Sequence, residues 1–257
     1  MQPVIYEKVD RLAYLTLNRP EKRNALNHET IKVLKDILRQ VNEDKDIKVV
    51  ILKGSGDAFC AGADLEYLQQ LQSFSFEDNL NDSKHLTELF ELIYFLNKPV
   101  IAQVNGHAIA GGCGLVTVCD FAFAAPEANF GYTEVRIGFV PAIVSYFLLK
   151  KAGEQKAKDL LISGRIIDAE EALNYGILNK VVEEDKLDDY VKNFADTLCT
   201  QNSGQSMEIT KHLIAAIQSM DVKTAMNYAS EQNAMARSSE ECKRGVAAFL
   251  NKEKLKW

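Results

Sequence analysis

Twice along this chain a short apolar run passes through a turn of small residues into a helical pattern, and that arrangement narrows the fold more than any other feature. The runs are Val49 to Leu52 (VVIL) and Val100 to Val104 (VIAQV). The turns are Phe59-Cys60-Ala61-Gly62-Ala63-Asp64-Leu65 and Asn105-Gly106-His107-Ala108-Ile109-Ala110-Gly111-Gly112-Cys113-Gly114. Apolar runs this short, bounded by turn or charged residues, read as buried strands. A third, Leu12 to Leu17 (LAYLTL), precedes them. Between Leu17 and Val49 lies a helix: Asn27 is a good N-cap, and Ile31, Leu34, Leu38 and Val41 recur at helical spacing. Leu86, Leu89, Phe90, Ile93 and Leu96 form a second helical stripe before Pro99. Strand and helix alternate, so the class is α/β.

Beyond about Gly131 the strand signals thin out. Asp168 and Glu171 make a capping-box pattern before Ala172 and Leu173. From about Ser206 the pattern is helical throughout, with Ile209, Leu213 and Ile217 on one stripe and Val246, Phe249 and Leu250 on another. The expected division is a core over 1–198 and a helical region over 199–257. No fixed-period repeat is present, and Ser73 to Ser83 (SFSFEDNLNDS) is expected to be a mobile surface loop.

Composition sets outer limits. The 257 residues include 30 Lys and Arg against 36 Asp and Glu, for a net charge of −6. That balance disfavours nucleic acid or an anionic membrane as the main partner, since both are bound through clustered cations. With 47% hydrophobic residues the chain can build an ordinary buried core. Five cysteines, an odd number with no CxxC pair, indicate neither a disulfide framework nor a zinc site. No metal is expected, because His28 and His85 carry no partner signal, and His107 reads as structural rather than as a base. The N-terminal residues lack a signal-peptide pattern, and the longest apolar stretch, Phe139 to Leu149, is broken by Pro141 and too short for a bilayer. The expected location is cytoplasmic.

The two glycine turns are the candidate site. Small residues let a ligand approach the main chain, and amides at a helix N-terminus point outward at developing negative charge. One N–H from each turn would make an oxyanion hole for a thioester enolate or a tetrahedral intermediate. Close packing alone also explains such glycines. No nucleophile elbow, GxGxxG or GxxxxGK[ST] is present, so acyl-enzyme and dinucleotide chemistry lose ground.

Four runs in order then carry a family resemblance: CAGADL at Cys60 to Leu65, NGHAIAGGCGL at Asn105 to Leu115 followed by CDFAFAAPEANFG, TEVRIG at Thr133 to Gly138, and EALNYGILNKVV at Glu171 to Val182. Together with LNRPEKRNALN at Leu17 to Asn27 they resemble the enoyl-CoA hydratase/isomerase (crotonase) superfamily over nearly the whole chain. The resemblance implies a spiral of ββα turns, with a C-terminal helical region that builds a homotrimer or a dimer of trimers. It implies a small-molecule acyl-CoA substrate, carried as a coenzyme A thioester, and no separate cofactor. It places the oxyanion-hole amides on Ala63 and Gly111, and the coenzyme A contacts on Lys22, Arg23, Ala25, Ala61, Asp64 and Leu65.

Carboxylates decide the reaction. Hydratases of this family usually carry two, and here the second is present as Glu134 while Gly114 stands at the first. A glycine cannot polarise water or exchange a proton, whereas one carboxylate suffices for a 1,3-proton shift. The wording TEVRIGFVPAIVSYFL nevertheless resembles a bacterial branch associated with 3-methylglutaconyl-CoA and related substrates of leucine breakdown. Hydration of a 2-enoyl-CoA is therefore favoured over Δ3,Δ2-enoyl-CoA isomerisation. A decarboxylase and a non-catalytic binding protein are the further alternatives. Gly114, Tyr132 and Arg136 are candidate pocket residues. If Thr133 to Ile137 is extended, Arg136 shares a face with Glu134 and could pair with it or meet a distal substrate carboxylate. If it is helical, the two point apart.

Overall fold

The computed structural model describes residues 2–257. β1 (Val4–Val9) and β2 (Leu12–Leu17) form a hairpin, and α1 (His28–Glu43) leads to β3 (Val49–Gly54) and β4 (Ala58–Cys60). There follow α2 (Leu65–Leu71), α3 (Phe76–Tyr94), β5 (Val100–Val104), β6 (His107–Ile109), α4 (Gly111–Val118), β7 (Phe121–Ala124) and β8 (Asn129–Gly131). A 3-10 helix (Glu134–Ile137) precedes α5 (Ala142–Ala152), α6 (Glu154–Ser163), β9 (Ile166–Asp168), α7 (Ala169–Asn174) and β10 (Lys180–Val181). The chain ends in α8 (Glu184–Gln201), α9 (Gly204–Ile217), α10 (Val222–Ser238) and α11 (Glu240–Leu250).

Two sheets result. The larger has the order β1-β2-β3-β5-β7-β10, parallel except at the β1–β2 hairpin. The smaller has the order β4-β6-β8-β9, parallel except at β8–β9. Three times in succession the chain lays one strand in the large sheet, the next in the small sheet, and then turns into helix: β3–β4, β5–β6 and β7–β8. That is the expected ββα spiral, and it stacks the equivalent turns of each repeat side by side.

The inner strands β3, β5 and β7 of the large sheet are buried on both faces, which is why they read as apolar runs. Alternate residues Val50, Leu52, Ala102 and Val104 face a core shared with α1, α3 and α4. Val49, Ile51, Ile101 and Phe123 face Leu187, Val191, Ala195 and Cys199 of α8. α8 runs unbroken across residues 198 and 199.

One local expectation fails. Ser73 to Ser83 is not a loop, because α3 starts at Phe76 inside it. Ser75 caps this helix by accepting from the Asp78 amide at 3.1 Å, while Asp78 returns a bond to the Ser75 amide. The first turns of α3 bury almost nothing, so no apolar stripe announced them. Asp168 does cap α7, accepting from the Glu171 amide at 2.8 Å.

Candidate active site

The segment after β4 is zipped to the segment before α1. Ala61 N–H donates to Arg23 O at 3.0 Å, Leu26 N–H to Gly62 O at 2.6 Å, and Asp64 N–H to Leu26 O at 2.8 Å. In such a parallel bridge the groups of residues 62 and 64 point at Leu26, so the N–H of Ala63 points the opposite way. Ala63 is solvent-exposed.

The second amide is set up one spiral turn later. Ala110 has φ 51° and ψ −124°, a conformation that strains any residue with a Cβ by roughly 1–3 kcal/mol. Its own N–H is held by Gly131 O of β8 at 2.7 Å. The turn delivers Gly111 as the first residue of α4, where an N–H has no intrahelical partner. Gly62, at φ +89°, joins the two turns: a Cβ there would lie 2.9 Å from Ala110 Cβ and 3.6 Å from Gly111 N.

The glycines of α4 have different duties. A Cβ on Gly112 would strike Cys60 O at 2.1 Å, so this glycine serves helix–strand packing. A Cβ on Gly111 would meet only Leu26 Cδ1, at 3.7 Å, so packing does not require it. Gly114 is closed by Val144 and Phe90, at 2.3 and 3.0 Å from its would-be Cβ.

Glu134 begins the 3-10 helix three residues after β8, the strand that holds Ala110. Its Oε2 is buried and has no hydrogen-bond partner in the structure. Burial pushes the carboxyl pKa up from its ordinary value, with a bond from its own amide working the other way. The buried Cys113 thiol lies within electrostatic reach; desolvation first, with Glu134 adding to it, pushes that thiol up to about 12. Cys113 is therefore no nucleophile at neutral pH.

The remaining candidates separate. Tyr132 is fully buried, with its hydroxyl 3.1 Å from Thr117 Oγ1, so it is part of the core. Thr133 to Ile137 takes the helical alternative, so Arg136 does not share a face with Glu134. It is exposed and leans on Gly164, whose would-be Cβ lies 3.5 Å from Arg136 Nε. Lys22 pairs with Glu66 at 2.5 Å, Arg23 is exposed in a left-handed conformation, and Leu65 is 79% exposed. Ala25 is buried and Ala61 half-buried on the zipped strands. Asp64 turns inward: it caps α2 through the Glu66 amide at 3.0 Å and meets Arg19 at 2.6 Å. Burial pushes Asp64 up, but Arg19 and the α2 amides outweigh it and leave the carboxyl below its ordinary value.

Sequence reasoning missed the braces. Asn24, buried at φ 56°, donates to Ser55 O and Ala58 O at 2.8 and 2.7 Å and accepts from the Arg19 amide at 2.9 Å. Arg19 also reaches Ala25 O at 2.7 Å. Asparagine's tolerance of the left-handed region was the one available signal. Among the described residues no group of three or more His, Cys, Asp or Glu is placed to hold a metal ion. None of the described helices is long and apolar enough to cross a membrane.

Comparison with known proteins follows the same lines. The family model described as Enoyl-CoA hydratase/isomerase matches residues 7–257. The crotonyl-CoA hydratase of Syntrophomonas wolfei is 36% identical over 254 residues, covering 98% of this chain and 96% of that one. The short-chain-enoyl-CoA hydratase of Clostridium acetobutylicum is 33% identical over 254 residues, covering 98% and 96%. Among solved structures, an enoyl-CoA hydratase of Mycobacterium smegmatis superposes with a TM-score of 0.93 at 29% identity, covering 99% of this chain and 98% of that one.

Proposed function

The chain belongs to the enoyl-CoA hydratase/isomerase family, and from that premise we propose that it adds water to a 2-enoyl-CoA thioester at the site formed by Ala63, Gly111 and Glu134. The observation that carries the reading is Glu134 Oε2, buried and unpartnered on the turn that follows β8, while β8 itself fixes the Ala110 turn beneath the Gly111 amide. The two outward amides stabilise negative charge on the thioester oxygen as it forms. With charge held there the α-carbon accepts or releases a proton readily, and Glu134 is the group that moves it. The oxygen of water bonds to the β-carbon while one of its protons passes to Glu134, the electron pair of the double bond is drawn toward the thioester, and Glu134 gives that proton to the α-carbon. Ala25 and Ala61 lie on the zipped strands along which the coenzyme A moiety would lie, Lys22, Arg23 and Leu65 flank them, and Asp64 acts from inside by bracing the turn through Arg19.

The names of the relatives, crotonyl-CoA and short-chain-enoyl-CoA hydratase, support the 2-enoyl class. Within it, the wording of the Thr133 to Leu148 segment supports a branched, carboxylated acyl group such as 3-methylglutaconyl. A cytoplasmic location and a homotrimer or dimer of trimers complete the reading.

One observation favours a second reaction. Gly114 supplies no acid and its side-chain space is filled, so Glu134 alone would suit Δ3,Δ2-isomerisation, in which one carboxylate takes a proton from one carbon and returns it to another.

The test is incubation with crotonyl-CoA, 3-methylglutaconyl-CoA and 3-hexenoyl-CoA, with products followed by mass. Gain of one water is expected, with the carboxylated substrate preferred. Conversion of 3-hexenoyl-CoA at constant mass without hydration would establish the isomerase instead.

A further inference from the structure

Position 114 sits beside Cys113, whose thiol is within electrostatic reach of the Glu134 carboxylate. It lies on α4 one turn beyond Gly111, whose amide belongs to the proposed oxyanion hole. The structure leaves a side chain there no room: a Cβ on residue 114 would lie 2.3 Å from Val144 Cγ1 and 3.0 Å from both Cε1 and Cζ of Phe90. Carbon atoms in good contact stay about 3.5–4.0 Å apart. Val144 comes from α5 and Phe90 from α3, so two helices distant in sequence converge on one absent side chain. Both are buried, Phe90 wholly. Neither swings aside easily. Phe90 stacks on Phe147 of α5 with ring centroids 5.6 Å apart, and valine is branched at Cβ and confined to few rotamers. Phe147, Ile143 and Tyr146 line the outer side of the same helix, where a groove of about 550 Å³ separates it from α3. Val144 is thus held between α4 and that groove.

The geometry assigns to Val144, backed by Phe90, the setting of reaction specificity: together they close the volume over Gly114 against any acidic side chain and leave Glu134 to move protons without a second acid from α4. The assignment rests on the acyl-CoA reading of the site. It makes the missing acid a property of three packed helices. Restoring a glutamate at 114 brings no second acid unless Val144 is also trimmed.

The test compares wild type, Val144→Ala, Gly114→Glu and Gly114→Glu/Val144→Ala by thermal melting and by the ratio of hydration of crotonyl-CoA to isomerisation of 3-hexenoyl-CoA. Gly114→Glu alone should lower Tm by about 5 °C or more, as overpacked cores do. The double variant should recover most of that loss and raise the hydration ratio about a hundredfold over Val144→Ala, the low end of what a placed acid or base contributes. A Gly114→Glu protein that melts like wild type would overturn the assignment, as would a folded double variant whose ratio stays that of Val144→Ala. Should the double variant not fold, Gly114→Ala with and without Val144→Ala carries the steric test, because alanine needs only the Cβ space. Rescue of Gly114→Ala by Val144→Ala is expected, and additive losses overturn the assignment. If wild type and Val144→Ala turn over neither ester, the acyl-CoA reading fails, and the coupling of Tm between 114 and 144 still shows whether Val144 closes the space.

Discussion

Glu134 loses water on folding and gains no side-chain partner at Oε2, so its ionised form is less favourable in the folded chain than in the unfolded one. The pH dependence follows from that sign. Between the ordinary pKa of 4.5 and the higher folded value, the folded protein keeps a proton the unfolded chain has released. This contribution to stability is complete below about 4.5 and is lost as pH rises through the folded value. Glu134→Gln removes the titration. The variant should melt at the same temperature as wild type in mild acid and above it at neutral pH, while turnover falls by about 10²–10⁴. Wild-type turnover would take Glu134 out of the mechanism, and a Tm difference that does not grow with pH would show that burial does not raise its pKa. Residues of this kind were legible because the family wording points to them by position. Val144, Phe90, Arg19 and Asn24 were not, since each acts on the site through a neighbour that the fold, and not the sequence spacing, supplies.

Among the elements, helix C-termini share one device. Lys98 Nζ donates to Val41 O, Asn42 O and Asp44 O at the end of α1. Lys48 does the same for Cys199 O and Asn202 O at the end of α8, both at 3.0 Å. Lys151 reaches Cys119 O after α4 at 2.8 Å, and Lys211 reaches Ile93 O in the last turn of α3 at 3.0 Å while pairing with Asp120 at 2.7 Å. The last carbonyls of a helix have no internal partner, and the negative end of its dipole favours a cation. Burial pushes the pKa of Lys48, Lys98 and Lys151 down, which marks how far these ammonium groups are taken from water. Lys98→Met keeps the apolar stem and strands three carbonyls, so it should lose about 1–3 kcal/mol, measurable as a lower urea midpoint at unchanged slope. An unchanged midpoint would show that water replaces the cap. None of these pairings is local in sequence, and the shortest spans 32 residues. The strands were legible from their apolar runs and α1 from Asn27, whereas the start of α3 and the 3-10 helix that carries Glu134 depend on short polar contacts that leave no period to read.

At the scale of the whole molecule the C-terminal helices stand out for how little they bury. α9 has no buried residue, α10 buries only Ala225, and α11 only Ala248. Yet they are rich in apolar side chains facing outward, including Ile214, Met226, Met235, Val246 and Phe249, the last of which is 82% exposed. Helices gain most of their stability from an apolar face packed against something, and a large exposed apolar patch marks an interaction surface. A second and third copy of the chain would supply the missing cover, in keeping with the trimer we propose. The expectation is a particle of three or six chain masses by light scattering at micromolar concentration. Phe249→Asp combined with Val246→Asp should reduce that mass while the circular dichroism spectrum holds, because both side chains point away from their own chain's core. A wild-type protein that elutes as a stable single chain would leave these faces bare and refute the assembly. If the double variant is monomeric and still turns over substrate at the wild-type rate, assembly covers apolar surface without completing the Glu134 site.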